Sequence, residues 1–210
     1  MNAQHVGTSG DPAARRRAIA VAGHRGDEPA ARLALGDDDA GVRAAALAAL
    51  GRMGHLGGED IERALADASP AVRRRAVEVA VAAGLVTAAP VILRALDDTD
   101  VSVVESAAWA LGELGETTPP AAGTVEALVE IATSHRDALC REAAVAALGA
   151  IGDPAGLDAI LTATGDKPAV RRRAVLALAP FEGPDVEAAL QAALADRDWQ
   201  VRQAAEDLLD

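Results

Sequence analysis

Few side chains in this 210-residue chain have the type and spacing that catalysis or metal binding requires. A catalytic thiolate needs an accessible, electropositive position, whereas the single cysteine, Cys140, stands where related segments of the chain have Val or Ala. The four histidines include no H-E-x-x-H motif and no adjacent His-Glu pair: His5, His24, His55 and His135. His24 and His55 fall in predicted turns, and two histidines without carboxylate ligands make a weak metal site. We predict no catalytic residue, no metal and no cofactor.

The most regular spacing belongs to arginine, which follows a small apolar residue in six places: Arg15, Arg43, Arg73, Arg141, Arg171 and Arg202. We call that apolar residue the anchor. An Asp stands five residues before the anchor in four cases: Asp37, Asp67, Asp98 and Asp196. A guanidinium and a carboxylate can form two parallel hydrogen bonds. We therefore expect these Asp–Arg pairs to form a ladder that holds neighbouring segments in register, and the alternative is that they bind a ligand.

Seven copies of one helical segment position these residues. The anchors are Ala14, Val42, Val72, Val103, Cys140, Val170 and Val201, at intervals of 28, 30, 31, 37, 30 and 31 residues. Apolar residues recur at the anchor and four, seven and eight residues after it, which places them on one helical face. An N-capping residue stands three positions before six anchors: Asp11, Asp39, Ser69, Asp100, Asp137 and Asp198. A Gly nine residues after the anchor lies near the expected C-terminal end of the helix in four copies: Gly23, Gly51, Gly112 and Gly149.

A second helical pattern follows each of the first six copies, over residues 28–35, 59–66, 89–96, 124–132, 156–164 and 185–194. One helix pair cannot bury its apolar face alone, but stacked pairs bury a continuous core. We predict an all-α solenoid of six helix pairs and a closing helix. This single repeat domain spans residues 11–210, and residues 1–10 form a flexible tail.

The repeated frame D-x-x-V-R-x-x-A-x-x-A-L-G-x-x-G resembles the short HEAT-like repeats named after phycobilin lyases, over residues 11–210. The resemblance implies a right-handed superhelix with first helices on the outer surface and second helices on the inner surface. It does not assign chemistry, because similar repeats occur in bilin lyases, scaffolds, deoxyhypusine hydroxylases and certain DNA glycosylases. The repeated His-Glu pairs of the hydroxylases are missing from this sequence.

Composition excludes several classes of protein. The formal charge is −12 and the pI about 4.7, which disfavours binding to nucleic acid. The few aromatic residues and the lack of Tyr disfavour a glycosylase that holds an extruded base. No apolar run approaches the length of a membrane span, and the polar N-terminus carries no targeting signal. We expect a cytoplasmic protein that binds neither nucleic acid nor membrane.

The fourth repeat departs from the pattern and provides the first candidate binding surface. Val104 replaces the ladder arginine, Trp109 stands six residues after the anchor, and residues 115–124 form an insertion. That position lies far from the core face of the helix, so Trp109 should be exposed. We predict a partner-binding patch of Val104, Trp109, Glu113 and the 116–123 loop. The alternative is that the loop folds over Trp109 and both are structural.

The second candidate is a small basic spot on the second helices. Arg63 and Arg94 occupy equivalent positions nine residues before their anchors, and Arg32 is displaced by one residue in the first repeat. An acidic group of a ligand or peptide would bind there, and the alternative is isolated charge on a solvated face. We predict a non-catalytic protein–protein interaction scaffold. The alternative function is a small-molecule-binding protein or lyase-like enzyme, similar to bilin lyases, with a pocket on the concave face.

Overall fold

The computed structural model describes residues 10–209, which contain thirteen α-helices and no β-strand. The predicted tail at residues 1–10 falls almost wholly outside the described residues, as does His5. The chain divides into two compact units, Met1–Val91 and Ile92–Asp210. The all-α prediction, with six helix pairs and a closing helix, is confirmed. None of the described helices combines the length and the apolar character that crossing a membrane requires.

The first unit consists of helix pairs in sequence order. Its helices are α1 (Pro12–Arg25), α2 (Glu28–Ala34), α3 (Ala40–Met53), α4 (Gly58–Leu65) and α5 (Pro70–Ala82), and α6 (Ala89–Arg94) lies at the unit boundary. We call the odd-numbered helices the first helices and the even-numbered ones the second helices. Within this unit α1 packs on α3, and α3 packs on α5. Leu47, Leu50 and Ile61 are fully buried between these helices.

The second unit repeats the same arrangement. Its helices are α7 (Val101–Thr117), α8 (Thr124–Ser134), α9 (Ala138–Ile151), α10 (Leu157–Ala163), α11 (Pro168–Ala177), α12 (Pro184–Ala193) and α13 (Trp199–Leu209). The first helices pack in succession, α7 on α9, α9 on α11 and α11 on α13. Leu128, Leu148 and Ile160 are fully buried in its core.

The predicted N-caps begin the first helices. Four carboxylates accept a backbone N–H from the first turn: Asp11, Asp39, Asp100 and Asp137. Asp198 accepts the N–H of Gln200 in the same way. Ser69 stands at the cap position of α5 but its hydroxyl makes no capping bond. Each carboxylate satisfies a donor that the helix itself leaves unpaired.

The glycines nine residues after the anchor lie near the helix ends in α1, α3 and α9, as predicted, whereas α7 continues five residues beyond Gly112. They lie inside the helices, and the left-handed terminal residues come three positions later, at Gly26, Gly54 and Gly152. The inner glycines permit close helix contact instead. A Cβ on Gly149 would lie 2.6 Å from the Cβ and 2.7 Å from the Cα of Ala177. Gly112 meets Ala147 in the same way.

These contacts predict opposite effects for two chemically identical substitutions. Gly149→Ala should destabilise the protein by about 1–3 kcal/mol, because the new methyl group collides with the backbone of α11. Gly51→Ala should stabilise it by up to about 1 kcal/mol, because a Cβ there meets Leu56 and Val79 at ordinary contact distances and alanine favours helix. Urea unfolding followed by circular dichroism measures both. Equal stabilisation by the two variants would contradict the close-contact interpretation.

Candidate functional site

Within the described parts of the two units, four Asp–Arg pairs connect neighbouring repeats, three of them through an aspartate that the sequence predicts. The Nε and Nη2 atoms of each arginine donate to the two carboxylate oxygens of one aspartate, over 2.6 to 2.9 Å. The pairs are Arg15–Asp37, Arg43–Asp67, Arg141–Asp166 and Arg171–Asp196. The Nη1 atom donates to a backbone carbonyl before the helix, for example from Arg171 to Asp166. Both edges of the guanidinium are therefore fixed.

The paired arginines change the acidity of the aspartates. Hydrogen bonds from Arg171 lower the pKa of Asp196 below its ordinary value, although burial opposes the effect. Hydrogen bonds from Arg15 lower the pKa of Asp37 in the same way. Both carboxylates also accept a backbone N–H two residues further along the chain. The charged form of each aspartate is therefore the form that the fold stabilises.

Asp166 is a ladder residue that the sequence analysis missed. It stands four residues before its anchor, where the frame has the aspartate five residues before, and Gly165 occupies the expected position. Its carboxylate nevertheless receives both hydrogen bonds from Arg141. The shift changes the capping donor, because Asp166 accepts the N–H of the next residue, Lys167, at 2.6 Å. A search that allowed one residue of slippage would have found it.

The fourth repeat lacks the ladder pair at both positions. Val104 stands in the arginine position and is 1% exposed, so it cannot belong to a surface patch, and this part of the prediction is wrong. His135 stands in the aspartate position, five residues before Cys140. Its Nδ1 accepts the N–H of Asp137 at 3.1 Å, as the ladder aspartates accept an N–H two residues on. An apolar residue and a histidine thus replace an ion pair.

Trp109 lies on α7 with 43% of its surface exposed. The partly exposed Glu105 precedes it by four residues, and the exposed Glu113 follows it by four. Residues four apart share one helical face, so the indole lies between two carboxylates. The structure brings Trp109 and Glu113 together at the surface, whereas Val104 lies beneath it.

The loop after α7 is shorter than predicted, and Trp109 remains 43% exposed. Residues 116 and 117 still belong to α7, so the loop spans residues 118–123. Gly115 stands where other first helices have a left-handed terminal glycine, but here the helix continues. A Cβ on Gly115 would lie 2.6 Å from Cγ1 of Ile151, so this glycine serves the contact with α9. The loop therefore begins one half-turn later and does not enclose the indole.

In the first unit, neighbouring carboxylates offset more of the positive charge of the second-helix arginines than we predicted. Arg32 donates from Nη1 to both oxygens of Asp60 at 2.8 Å, and Arg63 approaches the same carboxylate at 3.5 Å. Arg32 also bonds Glu28, whose carboxylate lies 2.8 Å from His55 Nδ1. The structure brings Arg32 and Arg63 together around one aspartate. The side chain of Arg63 is nevertheless 71% exposed beyond that contact.

The remaining candidates occupy unremarkable positions. Arg94 is exposed at the end of α6. Cys140 is fully buried, and burial raises the pKa of its thiol to about 11, so it packs as a small apolar residue. His24 is exposed near the end of α1. Across residues 10–209, no group of three or more His, Cys, Asp and Glu side chains could hold a metal ion.

Two exposed apolar side chains on the second unit were not selected from the sequence. Leu139 precedes the anchor of α9, and Trp199 begins α13 with 65% of its surface exposed. Trp199 borders a shallow depression of about 260 Å³ with Arg172, Leu176 and Gln203. Sequence reasoning treats these positions as helix starts, and only the packing shows that nothing covers them.

Comparisons with known proteins identify the repeat. A family model described as HEAT repeats matches residues 59–125 and 125–210. No curated protein matches the sequence. An engineered protein of known structure is 21% identical, with 87% of this chain and 95% of that chain covered and a TM-score of 0.63.

Two further solved structures are similar over most of the chain. The CpcE–CpcF complex of phycocyanin lyase from Nostoc sp. PCC7120 is 23% identical, covers 87% of this chain and 75% of that chain, and has a TM-score of 0.63. The protein YibA of Escherichia coli is 16% identical, covers 96% of this chain and 75% of that chain, and has a TM-score of 0.64. At these identities the likeness concerns the fold.

The ladder predicts a large difference between two adjacent arginines. Arg171→Ala should lower the free energy of unfolding by about 3 kcal/mol or more, because it leaves the carboxylate of Asp196 without its partner. Arg172→Ala is the matched control and should change stability by less than about 0.5 kcal/mol, since no ion pair of that side chain occurs among the described residues. Urea unfolding measures both, and similar losses would rule out the ladder as the cause.

The lowered pKa of Asp196 predicts the pH range in which its pair stabilises the fold. The pKa of an aspartate in the unfolded chain is about 3.9, so the pair contributes its full stabilisation of the fold well above that pH. It disappears as the pH falls through the lower pKa of the folded state. Asp196→Asn should therefore be less stable than the wild type at pH 7, and the difference should shrink towards pH 2. Unfolding measured across this range would show it, and a constant difference would contradict it.

Proposed function

Because the chain belongs to the HEAT-repeat family, we propose that it is a non-catalytic scaffold that binds a protein partner through the first-helix surface around Trp109. The observation that carries this proposal is the exposed indole on a rigid helix in a chain with two tryptophans and one phenylalanine. Tryptophan is enriched among the residues that dominate binding energy at interfaces. In this proposal the solenoid provides the shape of the binding surface, and a few residues provide most of the affinity for the partner.

The surroundings of Trp109 favour a basic partner segment. The indole lies between Glu105 and Glu113, and Glu116 is exposed one turn further along α7. A Lys or Arg side chain above the indole face would gain a cation–π contact and meet these carboxylates. Charge complementarity of this kind increases association rates and specificity. Val104 supports the surface from below and makes no contact with the partner.

The exposed second-helix arginines provide a secondary contact. Arg63 keeps its guanidinium largely in solvent beside Asp60, and Arg94 is exposed at the end of α6. Either could bind an acidic group of a partner. Because Asp60 already offsets part of the charge near Arg63, we rank this contact below the Trp109 surface.

A small-molecule carrier or lyase-like enzyme is the second candidate, and the clefts of the first unit differ in how well they suit it. The cleft between Arg43, Asp60 and Ala64 holds about 70 Å³, whereas the groove lined by Ala18, Leu33 and Val42 holds about 370 Å³. Pockets for small organic ligands are typically about 300 Å³ or larger. A coloured or tightly retained compound in the purified protein would favour this second function.

Two tryptophans on the same unit allow a controlled test of the scaffold. Trp109→Ala should weaken binding of a partner purified from the native host by at least about fivefold, equivalent to about 1 kcal/mol. Trp199→Ala removes an even more exposed indole and should leave the affinity unchanged. Glu113→Lys should weaken binding further by repelling a basic segment. Titration calorimetry measures each affinity, with circular dichroism as the check on folding.

The outcome that rejects the proposal is specific. If Trp109→Ala binds the partner with the wild-type affinity, the surface around Trp109 is not the binding site. If both tryptophan variants lose affinity equally, the effect does not belong to this surface either.

A further inference from the structure

The first helix of the first unit exposes an apolar face that later first helices bury. Ala14, Ala18 and Val21 stand at the anchor and four and seven residues after it, and Val21 is 46% exposed. The equivalent residues of α3 are buried: Val42, Ala46 and Ala49. The same three positions are buried in α5, α7, α9 and α11. Among the described first helices, α1 is the one in which this row is exposed to solvent, and all three of its residues are apolar.

An apolar groove lies beside this row. Its lining includes Ala18, Ile19, Leu33 and Val42, and its volume is about 370 Å³. We call this groove, together with the row Ala14, Ala18 and Val21, the N-terminal groove. Leu33 is the most exposed large apolar side chain among the described residues, at 82%.

The equivalent cleft of the second repeat is smaller. It is lined by the corresponding residues Leu47, Arg63 and Val72, and it holds about 70 Å³. Its wall also includes Leu35, which comes from the end of the preceding helix pair. A leucine carried by a helix end therefore helps to close this cleft. In the first repeat no such leucine is present among the described residues.

The charges around the N-terminal groove indicate the chemistry of its occupant. Helix α1 contains no acidic residue, although the whole chain carries a net charge of −12. Arg17 flanks the apolar row, and Arg25 continues it by one turn. Both side chains are exposed, and neither makes an ion pair within residues 10–209. A carboxylate placed above α1 would therefore meet unpaired cations.

The opposite end of the chain lacks this apolar character. Five residues after the anchor, the first helices α3, α5, α7, α9 and α11 carry buried apolar side chains, whereas α13 carries the exposed Glu206. A charged side chain at that position suits a helix face that is in contact with water. Helix α1 carries Ile19 there, and its outer row is apolar throughout. The N-terminal groove is thus built for contact.

We propose that the N-terminal groove docks an acidic amphipathic helix of a partner protein. A leucine of that helix enters the groove beside Leu33 and Ile19, and its small residues lie along Ala14, Ala18 and Val21. Its carboxylates pair with Arg17 and Arg25. This surface is distinct from the one around Trp109 and binds the opposite charge.

Two synthetic peptides test the charge and the apolar contact. Both are 16-residue helices with Leu and Ala on one face, and they carry Glu or Lys on the other. With the full chain, fluorescence anisotropy should show saturable binding of the acidic peptide, weakened by salt, and none of the basic peptide. Failure of the acidic peptide to bind, or equal binding of both, would overturn the proposal.

Variants of exposed residues localise the binding. Leu33→Asp and Arg17→Glu should each weaken the acidic peptide at least tenfold. Val86→Asp changes an exposed apolar residue elsewhere in the first unit and should leave binding unchanged. Trp109→Ala should also leave it unchanged, which separates this test from that of the proposed function. Wild-type affinity in Leu33→Asp would overturn the proposal.

The oligomeric state tests the competing occupant. Sedimentation velocity should show a monomer at all concentrations for the wild type and for Leu33→Asp. If the wild type self-associates and Leu33→Asp does not, a second copy of this chain occupies the N-terminal groove, and the partner proposal is wrong.

Discussion

The backbone contact between successive first helices is the constraint on which the rest of the structure depends. Where Gly149 meets Ala177, there is no room for one methyl group. Alanines four residues after the anchor are buried in the later first helices, for the same reason. Helices that approach this closely gain dispersion contacts along their whole length, although each side chain is small. The alanine-rich composition is thus a geometrical requirement of the packing, and it leaves little space for aromatic residues.

Small residues alone do not fix the position of one helix along another, and the Asp–Arg ladder supplies that register. Each guanidinium is held on two edges, by a carboxylate of the next repeat and by a backbone carbonyl of its own repeat. Removing one member of such a pair costs much more than the pair itself contributes, because an unpaired charge remains. The ladder therefore penalises slippage more than it adds stability. At the fourth repeat, Val104 and His135 replace the pair. There the close contact between Gly115 of the long α7 and Ile151 fixes the register instead.

The sequence predicts the periodic parts of this molecule well, since periodicity records which helical face is buried. Helix number, pairing and most N-caps follow from it directly. The packing role of the glycines was not predicted, because a glycine inside a helix and one at its end look alike in sequence, and only the neighbouring helix distinguishes Gly149 from Gly152. Asp166 was missed because a rigid spacing was assumed. The His55–Glu28 pair could not be found, because it joins residues from different repeats whose spacing has no pattern.

Departures from the repeat separate into two kinds, and burial tells them apart. A departure at a buried position has a second change beside it that restores the fold, as His135 keeps the capping bond opposite the apolar Val104. A departure at an exposed position needs no such partner, because the fold is indifferent to it. Trp109 is of this second kind, because 43% of its surface is exposed at a position where the other first helices carry Ala, Glu, Leu or Asp. Packing does not explain this indole, and the surface around it is therefore the one for which we propose a protein partner.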